Sequence, residues 1–419
     1  MPRSITIEDL YKIKFLSRPC ISPDGQHIAF VVTTIDNKKH EYCSSIWMVA
    51  TDGGEARRFT LGTSNTSSPS WSPDGRWLAF VSEREGVSHG KDEKELKKRG
   101  KGKAQIWLIP TDGGEARQLA FMQHGASKPT WSPDSNSVLF SAEVGPADEE
   151  TEEGTPLPKA RVIDRLWYRL DSVGYIYERR RHLFLANVAD GGEPVEPEQL
   201  TDGDWDDGDP LWSPDGTRIA FTSNRVEDRD RWRYFGSDLY VLTLENGEAG
   251  ELQCLTDSTR SCYSPSWSPD GRTIAFLASP KLASGNHVEL FTIDASGKGE
   301  LRNLTSEFEG SCADSTNDDM SNDHILPPPA WSPDGKTLYV LVTHRGATRV
   351  FAITREGAGK QPPALTPSNV YVRDFGVDEA RSTMALLLED PAHLAEIYVC
   401  STTVPGELRR VYLFIYWVV

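Results

Sequence analysis

Trp71-Ser72-Pro73-Asp74-Gly75 returns as Trp212 to Gly216, Trp267 to Gly271 and Trp331 to Gly335. Two close variants extend the series: Trp131-Ser-Pro-Asp-Ser135, with serine in the glycine place, and Ile21-Ser-Pro-Asp-Gly25, with isoleucine in the tryptophan place. A seventh, eroded copy is placed at Phe375-Gly-Val-Asp378. The pentapeptide has a mechanical reading. Proline presets φ for the second position of a type I turn, aspartate suits the third, and glycine takes the positive φ that starts the next strand.

Each turn is followed by the same signals in the same order. An apolar triplet comes first, as in Ile28-Ala-Phe30, Leu78-Ala-Phe80, Ile219-Ala-Phe221 and Ile274-Ala-Phe276. A second β-branched or aromatic run follows, such as Ile46-Trp-Met-Val49, Ile106-Trp-Leu-Ile109 or Leu239-Tyr-Val-Leu242. A Gly-rich turn then leads to a short segment ending in Leu-Thr, as at Leu200-Thr201. Such runs between turns read as strands. Self-similar units of four strands are propeller blades, and an array of blades closes into a ring with few free edges. The expected fold is therefore all-β: a seven-bladed propeller of four-stranded antiparallel blades, with a long insertion in blade three. Trp71, Trp131, Trp212, Trp267 and Trp331 are expected to pack between blades as structural residues.

Composition agrees with a repeat array. The 419 residues exceed what one hydrophobic core usually organises. With 45 lysines and arginines against 62 acids, the formal net charge is −17, which argues against nucleic-acid binding. No apolar run approaches the roughly 20 residues of a membrane-spanning helix. Residues 1–15 lack the regions of a signal peptide. The six cysteines are scattered without a C-x-x-C pair, so a cytoplasmic location with reduced thiols is expected.

The repeat resembles the TolB-type propeller unit. The larger pattern is similar to the N-terminal propeller of prolyl oligopeptidase-family serine peptidases, in the acylaminoacyl-peptidase and dipeptidyl-peptidase-like branch. Three features carry that resemblance: the opening Ile7-Glu-Asp-Leu-Tyr11, a Lys-rich insertion in blade two, and the blade-three segment Arg161-Val-Ile-Asp-Arg-Leu-Trp-Tyr-Arg169 with Arg179-Arg-Arg-His-Leu-Phe184. The resemblance covers residues 1–410. It implies a peptide substrate and an α/β-hydrolase domain as partners, the propeller gating access to a Ser-Asp-His triad carried by that domain. The single Gly-x-Ser-x-Gly match, Gly86-Val-Ser-His-Gly90, falls in the Lys-rich blade-two insertion and not on the strand-to-helix turn of a hydrolase sheet that a nucleophile elbow requires. The chain as written is thus expected to be the non-catalytic propeller portion of such a peptidase, inactive alone and with no catalytic residues. The alternative is a freestanding TolB-like propeller that binds proteins or peptides.

The blade-three insertion, residues 141–182, is far longer than a hairpin loop and mixes aromatics with arginines. Arginine beside aromatic rings suits a carboxylate or a partner surface. The resemblance implies that such an arm reaches toward the catalytic domain, which makes Arg165, Tyr168, Arg179, Arg180 and Arg181 candidates for docking or substrate contact. The other reading is that they stabilise the arm itself. The remaining motifs point nowhere sharper. Nine dispersed histidines form no zinc pattern, and the strands before each tryptophan show no convergent ligand set, so no metal and no cofactor are expected. The acidic stretches 202–209 and 314–323 lack calcium-loop spacing and read as solvated loops, as does the basic run 91–103. Residues 411–419 (Val-Tyr-Leu-Phe-Ile-Tyr-Trp-Val-Val) are too few to span a membrane and lack the alternation of an outer strand. They read as an apolar tail beyond the propeller, the product of a truncation or frameshift, or else as a buried closing strand.

Overall fold

The computed structural model describes residues 6–62, 64–84, 103–146, 160–163, 168–170, 174–176, 178–188, 193–225, 236–245, 247–279, 286–315, 326–403 and 407–412. They form seven antiparallel sheets arranged as blades in a ring, each made of consecutive segments. Blade one runs Phe15–Ile21, His27–Asp36, Glu41–Ala50 and Arg57–Arg58; blade two Thr66–Trp71, Trp77–Ser82, Gln105–Pro110 and Arg117–Gln118. Blade three comprises Ala126–Trp131, Ser137–Val144, Arg180–Asn187 and Glu198–Gln199; blade four Asp207–Trp212, Arg218–Ser223, Asp238–Glu245 and Glu248–Cys254. Blade five has Ser261–Trp267, Thr273–Ser279, Glu289–Asp294 and Arg302–Asn303. Blade six has Ala330–Trp331, Thr337–His344 and Ala347–Thr354, its fourth strand reduced to a bridge between Phe351 and Ala364. Blade seven has Tyr371–Val377, Thr383–Asp390, His393–Ser401 and Leu408–Tyr412.

The Ser-Pro-Asp-Gly turn works as its residues dictate. The fourth residue's N–H donates to the serine carbonyl at 2.8–3.0 Å in the first six blades. The serine hydroxyl donates to the aspartate at 2.5–2.7 Å and accepts the N–H that opens the second strand at 2.9–3.0 Å. That double use explains why the serine is buried in every copy. Asp24, Asp134, Asp270 and Asp334 are held below the usual carboxylate range, chiefly by the serine hydroxyl, with a backbone N–H adding to it. At Asp74 and Asp215 burial pushes the other way, and the same bonds outweigh it. Ser135 adopts the left-handed conformation (φ 63°) that glycine takes elsewhere in the series.

The tryptophans are clasps between blades. Indole N–H groups of Trp71, Trp131, Trp267 and Trp331 donate to the carbonyls of Cys20, Ser70, Leu211 and Ser266, each on the innermost strand of the preceding blade. Trp131, Trp212, Trp267 and Trp331 are buried, while Trp71 is half-buried. Aromatic burial with a satisfied N–H fixes both spacing and register of neighbouring blades.

Blade seven departs from the expected alignment. Trp267 faces Ile274 and Trp331 faces Leu338 across their turns; in blade seven the matching pair is Val377 with Met384. The tryptophan position is therefore Val377, two residues beyond Phe375, and the turn is Asp378-Glu-Ala-Arg381. Asp378 occupies the serine place: its carboxylate accepts the N–H groups of Ser382 and Thr383, and Arg381 takes the left-handed position at φ 55°. One carboxylate does there what serine and aspartate share elsewhere, so the motif vanished from the sequence while its geometry survived.

Among the described residues no blade mixes strands from both ends of the chain. Blades one and seven close the ring by packing Leu16, Phe30 and Val49 against Ala385, Leu387, Val399 and Val411. Val411 is buried, and the Tyr412 ring lies 5.6 Å from Phe30, so these two residues belong to the outer strand of blade seven. Residues 413–419 lie outside the described residues.

Candidate functional site: the insertion face and the channel

Strand direction alone sorts the connections onto two faces. The turns from first to second strand and from third to fourth share one face, as bonds such as Thr51 to the Gly25 carbonyl and Thr111 to the Gly75 carbonyl show. Connections from second to third strand, and from one blade to the next, fall on the opposite face. The third-to-fourth connections 188–197 and 355–363 lie on the turn face, whereas the opposite face receives the four longest connections, 83–104, 145–179, 224–237 and 304–329, and also 280–288. It also receives the leading helical turn Ile7–Lys12, whose Tyr11 hydroxyl lies 3.1 Å from His40 Nδ1 in the second-to-third turn of blade one. The last described strand runs toward it, reaching Tyr412 opposite Ile397. We call it the insertion face.

Large exposed apolar side chains concentrate on this face. Ile7, Leu10, Tyr42, Leu61, Val144, Val162, Ile163, Tyr168 and Tyr175 all sit on it, within blades one to three; Leu252 on the outer strand of blade four is the exception among the described residues. Val162 is 92% exposed. Clustered exposed apolar surface of this kind marks an interaction site.

On the ring axis, Arg18, Ser68, Lys128, Asp209 and Ser264 occupy the same place, three residues before each tryptophan position, and all have left-handed φ of 47–55°. Each is followed by proline and sits at a register shift in its innermost strand. Bulges of this type re-aim a side chain, here toward the axis. Together with Tyr263, Leu326 and Pro328 they line a channel cavity of about 500 Å³. Lys128 and Asp209 form an ion pair across the wall, and Asp209 also receives the Ser264 N–H at 3.4 Å. Among the described residues no group of three or more metal-ligating side chains occurs.

The arm candidates divide. Arg165 lies outside the described residues, as do Trp167 and Tyr177. Tyr168 is exposed and lies 6.2 Å from Tyr175, over whose ring Arg161 stacks at 4.0 Å while donating to Glu178. Arg179 is half-buried and Arg181 exposed, its N–H bound to Asp206 at 2.9 Å. Arg180 is buried, paired with Asp204 at 2.8 Å and Asp206 at 3.3 Å, and reaches the Ile176 carbonyl. The pairing of 142–144 with 180–182 shows that the insertion's ends are ladder, extending blade three.

Sequence reasoning missed the partner of this arm. The stretch 202–209 is no solvated loop: Asp207 is 0% exposed, lies 3.2 Å from His182 Nδ1, and accepts from Arg225 at 3.0 Å. Arg225 also covers the Trp205, Phe221 and Tyr240 rings. A buried guanidinium needs a counter-charge, and the excess of acids in 202–209 over local bases was the available signal. The basic run 91–103 lies outside the described residues except for Lys103. No helix among the described residues is long and apolar enough to cross a membrane.

No family model matches the chain. It is 33% identical over 403 residues to the uncharacterized peptidase YuxL of Bacillus subtilis, covering 95% of this chain and 57% of that protein. The acylaminoacyl peptidase of Pyrococcus horikoshii superposes on 96% of the chain with a TM-score of 0.67 at 17% identity, again over 53% of its own length. The β-propeller domain of the Trilobed protease from Pyrococcus furiosus, described as having an open velcro topology, superposes over 97% of this chain and 98% of that domain, with a TM-score of 0.60 at 14% identity. The chain thus spans about half the length of the peptidases it resembles and nearly all of an isolated propeller domain.

Proposed function

We propose that this chain, a propeller of the prolyl oligopeptidase family of peptidases, serves as the gate and docking platform of a peptidase, with an α/β-hydrolase domain seated on its insertion face. The observation that carries the reading is topological. The leading helical turn, the four longest connections, the blade-three arm and most of the exposed apolar side chains share one face, toward which the last described strand runs, while the opposite face carries the tight first-to-second turns. A domain joined through either chain end meets the insertion face first. There, Tyr168, Arg179 and Arg181 on the arm are the docking contacts, and Arg180 positions the arm by its bonds to Asp204 and Asp206.

Gating follows from the channel. A cavity lined by prolines, Tyr263 and a Lys128–Asp209 pair admits an extended peptide and excludes a folded protein, so that hydrolysis is confined to short substrates. The propeller itself performs no bond cleavage in this reading: nucleophile, acid and histidine belong to the docked domain. The test is reconstitution. The chain, mixed with the separately produced part of the Bacillus peptidase that lies outside the matched region, should form a complex seen by analytical ultracentrifugation. Val162→Asp with Ile163→Asp should weaken it at unchanged melting temperature. Failure of the wild-type chain to associate, or association indifferent to the arm, would remove the reading.

A further inference from the structure

Blades two and four repeat one constellation with one part exchanged. In blade four, Arg225 follows the second strand by two residues, donates through Nε to Ser223 at 3.2 Å, and lies over the cross-strand pair Phe221 and Tyr240. In blade two, Arg84 follows its strand by two residues, donates through Nε to Ser82 at 3.2 Å, and lies over the cross-strand pair Phe80 and Trp107 at 5.0 and 5.1 Å. The residues facing the two serines differ. Ser223 is flanked by Asp207 and Asp238, whereas Ser82 is flanked by Thr66 and Gln105. Asp207 binds the Arg225 guanidinium; neutral Thr66 spends its hydroxyl on Thr60 and the Ser44 carbonyl, and Gln105 binds the backbone of Met122.

Arg84 is therefore positioned like Arg225, by the corresponding serine and the same kind of aromatic pair, and has no carboxylate partner among the described residues. Burial lowers its pKa with no opposing charge to restore it. A guanidinium fork held on two rings, partly open on the insertion face, is shaped for a planar anion. We propose that Arg84 is a carboxylate-binding position, and that its ligand is a peptide carboxylate, terminal or side-chain, taking the place that Asp207 fills in blade four. The guanidinium chemistry is independent of the gating role; the choice of a peptide as ligand rests on it.

The experiment uses anisotropy of fluorescein-labelled tetra-alanine as the free acid, as the C-terminal amide, and as an amide with one internal aspartate. The wild-type chain should bind the free acid or the aspartyl amide at least about tenfold more tightly than the plain amide, a ratio suited to a charge-assisted bond. Which acid binds identifies the source of the carboxylate. Arg84→Gln should abolish the preference, and Arg84→Lys should keep only part of it. Thr66→Asp should also abolish it while raising the melting temperature, because the new carboxylate meets Arg84 as Asp207 meets Arg225. That variant separates loss of the site from loss of the fold. A preference surviving in Arg84→Gln and Thr66→Asp overturns the proposal, as does equal or absent binding of all three peptides to the wild type. Hydrolase-domain association is read separately, so either idea can fail alone.

Discussion

The two faces of the ring are built on opposite rules. On the turn face, every first-to-second connection is a four-residue turn whose serine and aspartate, or Asp378 alone, satisfy the backbone locally. On the insertion face the connections are long, apolar side chains are exposed, and charged groups are paired with residues distant in sequence, Arg180 across a blade boundary with Asp206 and Arg225 within blade four with Asp207. The difference separates scaffold from function: one face repeats because it only has to fold, and the other varies because something must be recognised there.

Substitutions can break or sharpen that contrast. The largest effect is expected in the clasps: Trp331→Ala removes a side chain that is 1% exposed together with its bond to Ser266, and should cost about 3–5 kcal/mol in urea unfolding. Trp71→Ala, at a half-buried clasp, should cost visibly less. Next comes Arg180→Ala, which should lower stability by about 1–2 kcal/mol; the cost is limited because Asp204 and Asp206 reach water.

A smaller effect distinguishes the turn face by pH. The turn aspartates have folded pKa values depressed below the unfolded ones, so their stabilisation is present above the unfolded value, near 3.9, and is lost as pH falls through the folded value. Asp270→Asn should thus destabilise by under about 1 kcal/mol at pH 7, with the gap to wild type closing below about pH 4. Thermal melts across pH 3–7 would show it; a gap independent of pH would mean the carboxylate charge is irrelevant. The smallest change in stability, within about 0.5 kcal/mol, is expected for Val162→Asp on the insertion face, where the side chain touches little.

The legibility of the sequence divides along the same line. The blade number and the tryptophan clasps could be read because the turn needs particular residues at fixed offsets. The seventh copy was misplaced by two residues because Asp378 merges two roles, leaving Phe375 as a decoy. Asp207, His182 and Arg225 were missed because contacts between residues distant in sequence, within a blade or between blades, carry no local periodicity. The same holds for Arg84, whose meaning depends on Thr66 standing where blade four has Asp207. The channel wall was half visible: proline after Arg18, Ser68, Lys128, Asp209 and Ser264 is plain in the sequence, but its left-handed partner residue is seen only in the backbone.

The most direct measurement is amide hydrogen exchange on the chain alone and in complex with the part of the Bacillus peptidase that lies outside the matched region. Protection is predicted around Tyr42, Leu61, Val144 and 160–163, with the seven turns from 22–25 to 378–381 unchanged. Protection centred on those turns, with the insertion face left exchanging freely, would contradict the assignment of the working face.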